Sequence, residues 1–234
     1  MKTYKTYLNW STGKDSALAL YYLLQDERYS VEQFITTVNT AFNRVSMHGI
    51  RIALLENQVA ALGMPLWQIK LPEQPSMDDY NKIMTEATTK LKKDGYSYAA
   101  FGDILLEDLK QYREDQLGSQ GIKTVFPLWQ RNTKQLMQEF LDLGFKAVIV
   151  CADATYFTDH FVGRVIDEDV IASLPEEVDP CGENGEFHTF CFDGPIFKTL
   201  VAFDIGEKTY HEYPKPNSTD AASGFWFCDL IPTL

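Results

Sequence analysis

Short apolar or β-branched runs alternate with segments of helical period through the first two-thirds of the chain. That alternation limits the fold more than any other feature. Residues 5–9 read as a short strand, and 16–25 as a helix with Leu20, Tyr21 and Leu24 on one face. The run 33–38 (QFITTV) is a buried strand, and 47–62 is a helix closed by Gly63. Residues 66–71 form the next strand. Ser76, with Asp79 three residues on, opens a capped helix that ends at Gly95. A strand over 98–101, a helix over 105–117, a strand over 124–126, a helix capped by Thr133 and an apolar strand over 147–151 continue the series. Such repetition predicts an α/β fold, a mainly parallel, doubly wound sheet covered on both faces. Ligands then sit at the carboxyl ends of the strands, where the strand order reverses. After about Ala152 the rhythm changes. One helix near 167–174, a Gly/Pro-punctuated stretch over 179–195, antiparallel-looking segments at 187–192, 197–203 and 209–213, a turn-rich 214–224 and a strand over 225–230 predict a smaller mixed α+β domain. The expected division is 1–150 and 151–234.

A chain of 234 residues can bury a core without disulfides or structural metal. No stretch approaches the roughly 18–20 apolar residues of a membrane span. The first ten residues lack the apolar region of a secretory leader, so a cytoplasmic location is expected. With 21 Lys+Arg against 33 Asp+Glu the net charge is −12, which argues against broad nucleic-acid binding. Cys151, Cys181, Cys191 and Cys228 are scattered without a C-x-x-C pair and are expected to be reduced, packed thiols. A cluster of Cys181, Cys191 and His188 matches no common structural zinc spacing.

The sharpest local signal is Ser11-Thr12-Gly13-Lys14-Asp15-Ser16, between the first strand and the first helix. That position aims backbone N–H groups and the positive helix end at an anion. Gly13 permits close approach, Ser11 and Ser16 offer hydroxyls, Lys14 offers a charge, and Asp15 is suited to placing a cation. The Walker A pattern fails, because Asp15 separates Lys14 from Ser16 and Leu8 stands where the leading glycine is needed. The dinucleotide glycine pattern fails too. A plain turn with a helix cap also accounts for Ser and Gly here.

Two further segments carry chemistry. Residues 43–49 (NRVSMHG) follow the second strand and put Arg44 and His48 near the same sheet end. Either they meet an anion or the loop is solvated and caps the next helix. Asp103, after Gly102 at the end of the fourth strand, is a candidate for a cation or a reacting group. Glu107 and Arg113 follow on the next helix, where 110–115 reads as a solvated charged face. Residues 179–189 (DPCGENGEFHT) bring Glu183, Glu186 and His188 together. Asn184-Gly185 makes a hairpin turn one reading, and contact with a substrate or cation the other.

Together these blocks resemble the ATP-binding PP-loop family that includes the diphthine–ammonia ligases. The resemblance rests on STGKDS (11–16), NRVSMHG (43–49), FGDI with LEDLKQYRE (101–114), FPLW (126–129) and the 179–190 run, in the family's order over nearly the full length. Thr12 departs from the first glycine of the usual S-G-G-x-D-S loop. The resemblance implies an adenine nucleotide α-hydrolase-like (HUP) domain and a C-terminal domain that completes the site. It implies ATP and Mg²⁺, attack of a substrate carboxylate on the α-phosphorus, and capture of the acyl-adenylate by ammonia. It implies catalytic roles for Lys14, Asp15 and Glu186, and nucleotide contacts for Ser11, Thr12, Gly13, Lys14, Asp15, Ser16, Asn39, Gly102 and Asp103. Asp15 and Asp103 would take the Mg²⁺. Arg44, His48, Glu107, Arg113, Glu183, Asn184, Glu186, His188 and Thr189 would face the substrate. The 182–189 run differs from the G-E-G-G-E-Y-E-T-like run of archaeal and eukaryotic members and looks like the branch also found in bacteria, which leaves the acceptor open. A PP-loop tRNA-modifying enzyme and a non-catalytic nucleotide sensor are the competing readings. Apolar residues near 225–227 permit a homodimer.

Overall fold

A computed structural model describes residues 3–46, 49–213 and 223–233. Strand β1 (Tyr4–Asn9) shows how the first layer is built. Tyr7 turns to one face and Leu8 to the other, and both are fully buried. The same alternation places Phe34 and Ile35 of β2 (Tyr29–Asn39), and Ala99 and Ala100 of β5 (Tyr98–Ala100), on opposite faces. Helices α1 (Lys14–Gln25) and α2 (Ile52–Leu62) cover the Leu8–Phe34–Ala100 face. Helices α3 (Met77–Lys93) and α4 (Glu107–Gly118) cover the Tyr7–Ile35–Ala99 face.

With β4 (Leu66–Leu71) and β6 (Lys123–Val125), the parallel strands run β4-β2-β1-β5-β6. The two-residue β3 (Arg44–Val45) adds an antiparallel pairing beyond the end of β1. The chain moves outward from β1 first one way and then the other. The order therefore reverses at the β1/β5 junction, and a crevice opens at their carboxyl ends.

The second sheet has the order β8-β7-β10-β9, from β7 (Lys146–Asp153), β8 (Phe187–Asp193), β9 (Phe203–Tyr213) and β10 (Ser223–Pro232), all antiparallel. Helices α5 (Thr133–Asp142) and α6 (Glu168–Ala172) accompany it. Its core is continuous with that of α1 and α2. Seven residues of α1 are buried, because the helix packs on β1 and β2 from one side and on β8 from the other.

Several local expectations change. The 147–151 strand lies in this second sheet and not at the end of the parallel one. Its unbroken apolar run (AVIVCA) arises because Ala147–Ala152 are buried on both faces, a pattern that central antiparallel strands share with parallel ones. Helix α2 begins at Ile52, after β3 and a turn, and not at residue 47. Asn132 caps α5 by accepting from the Gln135 N–H at 3.0 Å, while Thr133 Oγ1 donates to Asp179 at 2.8 Å. Residues 197–202 form no strand. Gly194-Pro195 turns the chain, and the Lys198 N–H donates to Ala61 at the end of α2. The apolar segment at 225–227 is half-buried in β10, between β7 and β9. Most of the turn-rich 214–224 stretch lies outside the described residues.

Candidate active site

The loop at 11–16 closes the crevice end of β1. Gly13 is the N-cap of α1, and no side chain caps the helix there. The first-turn N–H groups and the positive helix end therefore face a polar surface. The Lys14 N–H donates to Thr189 Oγ1 of β8 at 3.1 Å. Ser16 Oγ donates to Gly13 O at 2.9 Å, and Ser11 Oγ to Ser16 Oγ at 3.0 Å, which folds the loop on itself. Lys14 is 3% exposed. Its ammonium meets both Asp15 oxygens at 2.8 Å and the Cys181 carbonyl. Burial pulls this ammonium toward neutrality, but Asp15, by charge and by hydrogen bond, acts together with Cys181 and Glu183 to hold Lys14 above its ordinary value.

Gly102 explains how the second wall comes so close. A Cβ there would stand 2.8 Å from the Asp15 carbonyl carbon and 2.9 Å from the Ser16 nitrogen, so only glycine lets the end of β5 touch the first turn of α1. Asp103 follows directly. Its Oδ1 accepts from Arg113 Nη2 at 3.1 Å, and the guanidinium lies 4.1 Å over the Phe101 ring. Arg113 Nε approaches Asp103 Oδ2 to 3.1 Å without hydrogen-bond alignment, and that buried oxygen has no hydrogen-bond partner. Burial raises the Asp103 carboxyl, against the pull of Arg113 and with Asp15 adding to the rise. Burial likewise lowers the Arg113 guanidinium, against Asp103.

The acidic loop comes from the second sheet. Gly182 has φ +71°, and a Cβ there would meet the Phe187 carbonyl at 2.8 Å. Glu186 is 3% exposed. Its carboxylate accepts from the Asp179 N–H at 2.9 Å, the Asn184 N–H at 2.8 Å and the Asn184 side-chain amide at 2.9 Å. Burial pushes that carboxyl up, but the hydrogen bonds from Asn184 and from the backbone leave it below its ordinary value. Glu183 instead reaches across the crevice and accepts from the Ile104 and Leu105 N–H groups, each at 3.2 Å. Burial, with Asp15 adding to it, raises Glu183 from 4.5 to about 7. His188 lies below its ordinary value because of burial and then Lys14.

Most of these groups line one cleft of about 580 Å³. It brings together Ser11, Gly13, Lys14, Asp15, Ser16, Gly102, Asp103 and Arg113 with Glu183, Asn184, His188 and Thr189. The other expected residues fall elsewhere. Asn39 donates to the Pro72 and Glu73 carbonyls. Arg44 pairs with Asp229 at 2.6 Å and Arg51 pairs with it at 2.5 Å, in a strut between β10 and the segment after β2. Glu107 is 63% exposed, on the solvent side of α4. Thr12 and Glu186 back the wall without lining it. His48 lies outside the described residues. The cleft also has an apolar end, with Ile69, Tyr80, Met84 and Leu106, that no motif announced. Tyr80 and Met84, one turn apart on α3, carry only the ordinary signal of a buried helix face. Among the described residues no group of three His, Cys, Asp or Glu is placed to hold a metal, and the four cysteines are free and buried. No helix among them is long and apolar enough to cross a membrane.

Comparison with known proteins bears on this arrangement. The family model for the diphthamide synthase N-terminal domain matches residues 4–124, and that for the diphthamide synthase C-terminal domain matches 132–215. Diphthine–ammonia ligase of Bos taurus is 28% identical over 145 residues, 59% of this chain and 53% of its own. That of Homo sapiens is 27% identical with the same coverage. The chain thus spans about half the length of the curated relatives it matches. A solved U34-tRNA thiolase, NcsA from Methanococcus maripaludis with its 4Fe–4S cluster, covers 61% of this chain and 58% of its own at 17% identity and a TM-score of 0.36, too slight a likeness to carry an argument. The first matched unit holds the phosphate-type loop and the second the acidic loop that meets it across the cleft, and on these two matches the chain belongs to the diphthamide synthase family.

Proposed function

We propose that this protein is an ATP-dependent ligase that adenylates a substrate carboxylate, releases pyrophosphate and forms an amide with ammonia. One observation carries the reading: a helix start without an N-cap side chain, where the buried Lys14 pairs with Asp15, faces an acidic loop from the second sheet across a single cleft. The carboxylate oxygen attacks the α-phosphorus, and the bond to pyrophosphate breaks. The charge on the leaving group falls to the N–H groups of the loop and to Lys14. Preorganised donors of this kind are each worth about 3–4 kcal/mol in a transition state. Ammonia then attacks the acyl carbon, the bond to AMP breaks, and one proton is lost. His188, lining the cleft and biased toward its neutral form, is suited to accept that proton.

The donor set fits Mg²⁺, which takes one or two carboxylates and otherwise substrate phosphates and water. Asp15 and Asp103 line the same cleft, and Asp103 Oδ2 has no hydrogen bond. A bound Mg²⁺ would offset phosphate charge. We assign ATP to the first sheet with its helices and the acceptor side to the second unit. The pairing of β7 with β8 and β10 supports starting that unit before β7. Four unpaired cysteines suit a reducing, cytoplasmic setting.

The test is ATP–pyrophosphate exchange and AMP formation over a panel of carboxylated metabolites and proteins, with ammonium present. AMP that appears only with one acceptor names the substrate. ATP binding with no AMP under any condition overturns the ligase reading in favour of a nucleotide sensor.

A further inference from the structure

Thr12 is the anomaly of the phosphate loop. Its φ is +75°, a left-handed conformation that a β-branched residue adopts at a cost and that a glycine adopts freely. Something must hold it there. Its carbonyl accepts from the Cys191 N–H of β8 at 2.9 Å and from Gln58 Nε2 of α2 at 2.9 Å. Gln58 is fully buried on an otherwise apolar helix face. Its Oε1 accepts from Trp10 Nε1 at 2.7 Å, and its Nε2 also donates to the Cys191 carbonyl at 2.6 Å. Indole nitrogen only donates, so the amide has a single orientation, with both of its N–H groups turned to the two carbonyls. One side chain thereby ties the end of β1, the phosphate loop and β8 together.

We propose that Gln58 is a positioning residue of the phosphate loop, whose amide holds Thr12 in the left-handed geometry that aims the Gly13–Ser16 backbone into the cleft. The proposal rests on the reading that residues 11–16 hold the nucleotide's phosphates. A buried amide that served packing alone would need no such alignment. Replacing it by an apolar side chain leaves the Trp10 N–H and the Cys191 carbonyl short of a partner and Thr12 with only one of its two anchors.

The experiment measures Mg-ATP and AMP affinities of the full chain by titration calorimetry, with melting temperatures alongside. Wild type binds ATP more tightly than AMP. If it does not, the phosphate-loop reading fails, whatever Gln58 does. Gln58→Leu weakens ATP by about tenfold and AMP by no more than about twofold. Trp10→Phe, which frees the amide to rotate, gives a smaller loss of the same kind. Adding Thr12→Gly to either variant restores most of the ATP affinity, because glycine needs no brace. Equal losses of ATP and AMP, or failure of Thr12→Gly to restore ATP binding, reduce Gln58 to core packing and overturn the proposal. If Gln58→Leu does not fold, Trp10→Phe with and without Thr12→Gly decides by the same criteria.

Discussion

The two loops that meet in the cleft are held by opposite means. The loop at 11–16 is made where a strand enters a helix. Its donors come from the helix start, and its buried cation is paired with the very next residue, Asp15. The loop at 179–189 has no such junction. It is knotted by Glu186, which takes three donors from Asp179 and Asn184, and latched by Glu183 onto the end of β5. A loop of the first kind needs only small residues and one cation. One of the second kind needs buried acids whose every hydrogen bond counts, at about 1.5–3 kcal/mol for each bond to a charged group.

That contrast can be broken first at Asp15. Asp15→Asn keeps a hydrogen-bond partner for Lys14 but removes the charge, and pyrophosphate release falls by at least about a hundredfold. Circular dichroism stays unchanged, since Asp15 is a third exposed. Release at the wild-type rate removes the 11–16 loop from the chemistry. At the second loop, Glu186→Gln turns an amide toward N–H donors. The loop loosens, and turnover falls about tenfold while ATP affinity moves less than about twofold. If ATP affinity drops as far as turnover, the two loops are not separable.

A smaller effect sharpens the comparison through pH. Folding raises Glu183 from 4.5 to about 7, so the folded chain binds the extra proton between those values. Stability attached to that proton is complete below the unfolded value and is lost as pH rises through the folded one. Melting temperature therefore declines from about pH 5 to about pH 8 in wild type, and Glu183→Gln, which still accepts from Ile104 and Leu105, flattens that decline. Parallel profiles for the two proteins would show that the latch is not protonated in this range. Smallest is the strut outside both loops. Asp229 pairs with Arg44 and Arg51, which are each more than a third exposed or nearly so. Asp229→Asn costs about 1 kcal/mol at low salt and less at high salt, with nucleotide binding unchanged.

The same contrast explains what the sequence disclosed. The parallel sheet was legible because period-2 strands and capped helices are local, down to the Ser76–Asp79 capping box. The 11–16 loop was legible for the same reason. Glu186 was found, but its orientation was not, because Asp179 and Asn184 become its partners only when the loop folds. Arg44 looked like an anion ligand because its partner, Asp229, is far away in the chain. Gly102 was marked for the nucleotide and lines the cleft, but its close approach to the backbone of α1 gave no signal in the sequence. The strand at 146–153 was placed in the wrong sheet because burial on two faces looks alike in either. Gln58 gave no signal at all, since one glutamine on an apolar helix reads as a surface residue until Trp10 and β8 close over it.

Helix α1 packs on the first sheet and on β8 at once, and at its start the Lys14 N–H donates to Thr189 while the Thr12 carbonyl accepts from Cys191. The two family units therefore share one core and one cleft. A ribosome that has delivered only the first unit has delivered the 11–16 loop with one wall of its cleft missing and an apolar face of α1 uncovered. The cleft has its full lining only once β8 has emerged.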